Sequence, residues 1–217
     1  MPVQPRARTR WAGVPAADRR AERRELLLDA AFELLGTEGW SATTVRAVCH
    51  EAKLNFRYFY ESFEDLDALM VALYDRLVTE LGEEVLSAVE AAGNDPQERL
   101  RVAVDRIVGF VADDARRARV LYVEALGSEP LNRRRIETGH AVVALVEEQG
   151  TKRLPPGAPR DHIGRIGAAI LVGGLSELIV AWLDGRIDVP RSQLVDDATE
   201  LFVALGVAAA GVASRRT

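Results

Sequence analysis

Cysteine occurs once in the 217 residues, so no disulfide can form within the chain and a reducing compartment is expected. Lysine is almost as scarce. Only Lys53 and Lys152 are lysines among 28 basic residues, the bias of a GC-rich genome. No segment alternates with a β period, and there is no internal repeat or low-complexity tract. Long apolar runs are missing too. The uncharged stretches 166–176 and 201–214 span 11 and 14 residues, short of the ~20 needed to cross a bilayer. They are expected to be buried helices, with no membrane partner. The N-terminal end has no apolar run of a secretory signal. There is no His-Glu-x-x-His, phosphate-binding Gly-rich loop, Gly-x-Ser-x-Gly or Cys pair. The single Glu137-x-x-His140 lacks the second copy and the two further Glu that a di-iron bundle needs. No metal, no cofactor and no enzymatic activity are therefore expected.

What the chain does have is an uneven charge. The total is −5, yet residues 1–24 hold seven Arg against Asp18 and Glu22, which leaves the remainder at −10. A basic end on an acidic body suits a protein that meets a polyanion with one end only. Residues 1–17, with Pro2, Pro5, Gly13 and Pro15, read as a flexible basic arm whose arginines can enter a minor groove. Aromatic residues are 6% of the chain, but Asn55–Glu61 (NFRYFYE) is dense in them.

That stretch lies in a recognisable arrangement. Val45, Val48, Cys49 and Ala52 fall at helical spacing, predicting a short helix over 44–52 with Thr43 as its N-cap. Lys53, Leu54 and Asn55 form a turn, and 56–62 a second helix. Two short helices around a tight turn make a helix-turn-helix, whose second helix enters the DNA major groove. On it, Arg57 suits a bidentate bond to guanine, Asn55 caps the helix or reaches adenine, and Phe56, Tyr58 and Tyr60 flank them. Phe59 is expected to face inward beside Phe63. Thr43, Thr44 and Arg46, at the start of the preceding helix, are placed for phosphate. A plain aromatic core helix is the competing reading, but Arg57 beside Asn55 argues against it.

Taken together, LLDAAFELLGTEGW at 27–40, TTVRAV at 43–48, Ala52, Tyr60-x-x-Phe63 and DLDAL at 65–69 resemble the DNA-binding domain of the TetR (tetracycline-repressor-like) family. The resemblance covers about fifty residues, Arg24 to Leu73. Two positions depart from it: Lys53 stands where the family usually has Gly, and Leu66 where it usually has Lys. The resemblance implies an all-α homodimer with a three-helix head at 18–64 and a ligand-binding and dimerisation domain at 65–217. It further implies a cytoplasmic regulator, most commonly a repressor, released from a palindromic double-stranded DNA operator by a small-molecule effector. The competing class is an all-α dimer that binds a small molecule without reading DNA.

Beyond the head every segment reads as helical, about nine helices in all. An opening helix from Asp18 carries the stripe Leu27, Ala30, Ala31, Leu34 and Leu35, and a fourth begins near Asp65. Others are predicted over 97–112, 116–126, 131–149, 160–184 and 191–210, with breaks at GNDP (93–96), Pro130 and RLPPGAP (153–159). Gly164, Gly167, Ala168, Ala169, Gly173 and Gly174 make the 160–184 helix dense in small residues. Mid-helix glycine costs ~1 kcal/mol relative to Ala, so close helix approach is expected there. The resemblance implies that this helix and the last form a four-helix seam between two subunits. Glu177, a carboxylate on the apolar stripe of Ile166, Ile170, Gly173 and Val180, is expected to line the effector cavity with Phe110, Tyr122 and His140. The alternative places Glu177 in the dimer seam. Cys49, between the two helices of the motif, reads as a buried structural thiol or as a redox sensor.

Overall fold

A computed structural model describes residues 16–151 and 162–215. The basic arm of residues 1–15 and the linker at 153–159 lie outside the described residues. Among the described residues there are nine α-helices and no strand. They cluster into two compact units, one ending at Leu73 and the other running from Tyr74. The division falls inside the fourth helix, whereas the sequence places the boundary at 64/65, before that helix begins.

In the first unit, α1 (Ala16–Thr37) presents Leu27, Leu28, Ala30, Ala31, Leu34 and Leu35 to the core, all buried. It stops where the chain reaches Gly39, whose φ of 85° a side chain would oppose. Trp40–Ala42 make a 3₁₀ turn, then α2 (Val45–Glu51) and α3 (Phe56–Tyr60) follow, and α4 (Leu66–Ala91) begins. Val48, Cys49, Phe59, Phe63, Leu69, Met70 and Leu73 complete this core. The cap of α2 differs from expectation by one residue. Thr44 is the N-cap and its side chain accepts from the Ala47 amide at 3.1 Å. Thr43 is buried, and its hydroxyl donates to the Gly39 carbonyl at 2.8 Å, closing the turn before the helix. Asn55 caps α3 by accepting from the Tyr58 amide at 3.2 Å.

Between α2 and α3, Lys53 adopts φ 54°. Its amide donates to His50 O at 3.1 Å and the Leu54 amide to Cys49 O at 2.9 Å, bonds that hold the turn in the left-handed region. An L-residue there costs roughly 1–2 kcal/mol, of which glycine would recover only part because it loses more freedom on folding. Lys53→Gly is therefore expected to stabilise the chain by about 1 kcal/mol, checked by the urea unfolding midpoint. A lowered midpoint would mean that the lysine side chain itself contributes a contact.

The second unit holds the rest of α4, then α5 (Pro96–Ala112), α6 (Ala115–Ala118), α7 (Glu129–Thr151), α8 (His162–Leu183) and α9 (Arg191–Ser214). Asp95 caps α5, with Pro96 at its first position, where the missing amide is harmless. Pro130 likewise sits at the start of α7, whose Leu131 amide is capped by the Ser128 hydroxyl at 3.2 Å. α5 packs on α9, and α7 and α9 both pack on α8. Arg191 of α9 donates to the carbonyl and carboxylate of Asp105, at 3.0 and 2.9 Å, by passing over Gly109. A β-carbon at Gly109 would stand 2.4 Å from that guanidinium, so only glycine admits the crossing.

Two expectations are corrected here. The single helix expected over 116–126 is α6 followed by a π turn (Arg119–Val123) and a 3₁₀ turn (Glu124–Leu126). The wider turn brings residues five apart together, and Arg119 pairs with Glu124 at 2.8 Å across it. The apolar stretches of α8 and α9 are not buried helices. Ala168, Leu175 and Ile179 face inward, as do Leu194, Val195, Ala198 and Thr199, while Ile166, Ile170, Leu201 and Val207 are exposed. By length and composition alone both helices could cross a membrane. Their small residues do not serve close approach within the subunit. A β-carbon at Gly173 or Gly174 would meet nothing within 4 Å, and at Gly167 only Ala209, at 3.7 Å.

Candidate nucleic-acid interface

The five-residue α3 is too short to hold itself, so its position depends on what it rests on. Phe59 and Phe63 supply the anchor, both buried, with ring centroids 6.0 Å apart. α1 supplies the clamp. Arg23 lies over the Tyr58 ring at 4.2 Å and Arg24 over Phe63 at 4.3 Å. Arg20 donates to the carbonyl of Glu61, and the Arg23 guanidinium reaches the Glu61 carboxylate at 3.3 Å. Tyr58 is thereby a packing residue, half-buried beneath Arg23, and not one of the outward row.

The outward row is Phe56, Arg57 and Tyr60. Phe56 and Tyr60 are 51% and 62% exposed, and the Arg57 side chain is 83% exposed. One turn of helix separates the two aromatic rings, with the guanidinium beside them. Glu61 orients that guanidinium: its Oε1 accepts from Arg57 Nε at 2.9 Å while Oε2 faces Arg23. With Nε held, the two terminal nitrogens of Arg57 point away from the protein. Such a fork matches the paired acceptors O6 and N7 of guanine. Thr44 and Arg46 are exposed at the start of α2, whereas Thr43, also expected in this set, is buried and engaged. Glu61 is the member that reading the sequence missed. Its i,i+4 spacing from Arg57 was the available signal.

Cys49 is buried behind this surface, and burial pushes its thiol pKa up. The thiolate that oxidation requires is correspondingly disfavoured.

Residues 27–73, which include all of this geometry except α1's first turns, match the family described as bacterial regulatory proteins, tetR family. The HTH-type transcriptional regulator BetI of Brucella suis is 30% identical over 162 residues, covering 70% of this chain and 77% of that protein. The chain belongs to the TetR family. Among solved structures, a transcriptional regulator from Pseudomonas aeruginosa PAO1 superposes with a TM-score of 0.72 at 19% identity, over 95% of this chain and 98% of that one. The regulator FadR from Bacillus subtilis, in complex with stearoyl-CoA, gives 0.64 at 16% identity, covering 82% and 97%. These likenesses extend the TetR-like all-α fold beyond the head into the second unit.

In this TetR-family chain the four residues expected at an effector cavity do not fall together. Phe110 is buried, with the Arg117 guanidinium over its ring at 4.1 Å. Tyr122 is in the π turn, half-buried, and burial is the main cause that pushes its hydroxyl pKa up to about 12. His140 is exposed on α7. Glu177 is exposed on α8, on the face of Ile166, Ile170 and Gly173. The expected buried carboxylate is thus not buried in a single subunit. Position on an apolar stripe marks a face, but does not say whether that face turns inward.

Proposed function

We propose that this chain is a homodimeric, ligand-responsive transcriptional repressor that grips a palindromic double-stranded DNA operator with two α3 helices. The row of Phe56, Arg57 and Tyr60 carries the reading: two exposed aromatics and a forked cation on a helix whose other side is pinned by Phe59 and by α1. A head built only for packing would not leave that row outward. In the complex Arg57 reads guanine, Phe56 meets a thymine methyl, and Tyr60, Thr44 and Arg46 reach phosphate or base edges. The arm at 1–17 adds phosphate contacts, 18–64 is the reading head, and 65–217 holds effector and partner.

The exposed apolar faces of α8 and α9 support the second copy. Ile170, Leu201 and Val207 are 54%, 67% and 70% exposed, along helices rich in Gly and Ala. A second subunit would cover them, with Glu177 at the seam and no membrane involved, in a cytoplasmic protein. Effector binding in the second unit then changes the separation of the heads, and operator affinity falls by the differential affinity of the effector for the two states.

The test is selection of bound duplexes from a random library with the full chain. An inverted repeat is expected, its half-site centres about 10–10.5 base pairs apart or a multiple of that. Recovery of no common sequence would favour the competing reading, a dimeric small-molecule-binding protein that does not read DNA.

A further inference from the structure

Three consecutive arginines open α7, and two of them are neutralised. Arg133 pairs with Glu129, while Arg134 reaches Asp75 at 2.6 Å and Glu137 at 3.3 Å. Arg135 makes no ion pair among the described residues. Its NH2 has only the Asn132 side-chain carbonyl, at 3.4 Å, and its Nε is buried without a hydrogen-bond partner. A guanidinium withdrawn from water without a counter-charge is costly, and such groups are ordinarily paired. The nearby acids offer none, because Asp75 and Glu137 are already engaged by Arg134.

The surroundings are phenolic. Tyr74 of α4 is buried, with Thr138 bonded to its side chain and Arg135 close enough to act on it electrostatically. Tyr74 in turn acts on Tyr122, which the π turn holds. Tyr122 is deeply desolvated yet keeps exposed surface, and no hydrogen bond engages its hydroxyl among the described residues. A side chain both deep and reachable borders a space inside the unit. A π turn is a common device for re-aiming a side chain at a binding site. Helix α4, the π turn and α7 thus bring one uncompensated cation and two phenols together, with apolar Phe110, Val120, Leu121 and Leu131 buried in the same unit.

We propose that Arg135, with Tyr74 and Tyr122, receives the carboxylate of an amphipathic organic monoacid whose apolar body lies among the helices of the second unit. This rests on the ligand-responsive reading above and names the chemistry of its effector. The charge count selects a monoanion: one unpaired guanidinium balances one carboxylate, whereas a phosphate ester or a diphosphate would need further cations. The guanidinium fork matches a carboxylate with two parallel bonds, and a phenol can donate a third.

The experiment uses the full chain and matched probes, decanoate against 1-decanol and 4-phenylbutyrate against 4-phenylbutanol, with thermal stabilisation and calorimetric titration as readouts. At least one acid is expected to raise the melting temperature saturably and to bind about tenfold or more tightly than its alcohol. Arg135→Met should remove that preference while retaining alcohol binding, and Arg135→Lys should restore part of it. Equal affinity of acid and alcohol for the unmodified chain overturns the proposal, as does stabilisation by neither acid. So does an acid preference that survives in Arg135→Met. Operator binding by the unmodified chain without any acid is measured alongside. Its failure counts against the regulatory reading, while failure of acid selectivity alone counts only against this assignment.

Discussion

Arg57→Ala is expected to abolish sequence-specific DNA binding while leaving the chain folded. The side chain is 83% exposed and touches only Glu61, so its removal creates no cavity and strands no buried donor. One bidentate Arg–guanine pair contributes ~1–3 kcal/mol of discrimination. In a dimer reading two half-sites the loss is incurred twice, roughly 2–6 kcal/mol in all. Binding to random duplex should weaken far less, because that rests mainly on phosphate charge. Glu61→Gln separates positioning from contact. It keeps the size of the side chain but weakens its hold on Arg57 and Arg23, so specificity should fall while nonspecific affinity holds or rises with the loss of a negative charge. Titrations of specific and random duplexes by fluorescence anisotropy measure both. An unchanged specific-to-random ratio in Arg57→Ala would move the reading surface away from α3.

Gly173→Leu should dissociate the dimer without unfolding the subunit. Within one chain a β-carbon there meets nothing within 4 Å, so leucine has open space around it. Against a second copy of the same face, leucine would hold two helices apart. Overpacking costs about 1–3 kcal/mol per site, and two-fold symmetry brings the substitution to the seam from both subunits. The dimer dissociation constant should therefore rise by at least about tenfold, since each 1.4 kcal/mol is one decade. Sedimentation velocity reads the constant and circular dichroism the fold. Operator affinity should fall with it, because one head alone loses the second half-site. An undisturbed dimer would place the seam on another face. Glu177→Gln belongs to the same experiment, since a carboxylate on that face should alter association and not the response to effector.

How much of this was legible beforehand depends on the distance over which each property is decided. Helix periodicity, the Asn55 cap, the inward Phe59 and the helix-turn-helix spacing are all local, set by residues within one or two turns of each other. They could be read directly. So could the family, because the motif from Leu27 to Leu69 is a contiguous pattern. Lys53 likewise announced its own strain, since a turn that closes in the left-handed region penalises any β-carbon. The Thr43 and Thr44 exchange shows the limit of local reading. Both are good caps, and the 3₁₀ turn at Trp40–Ala42 decided which hydroxyl was already taken.

The tertiary structure alone decided which way faces turn and which charges find partners. Glu177 sits on an apolar stripe by its spacing, but α8 turns that stripe outward because Ala168, Leu175 and Ile179 already fill the inner face. The π turn at Arg119–Val123 follows no hydrophobic period. The orientation of Arg57 depends on Arg23, thirty-four residues away, through the carboxylate of Glu61. Three arginines in a row on α7 are alike as a sequence. Only folding, which sets Asp75 against Arg134 and Tyr74 beside Arg135, leaves one of them with its charge unanswered. Helix formation is governed by neighbours along the chain, whereas burial and pairing are governed by neighbours in space.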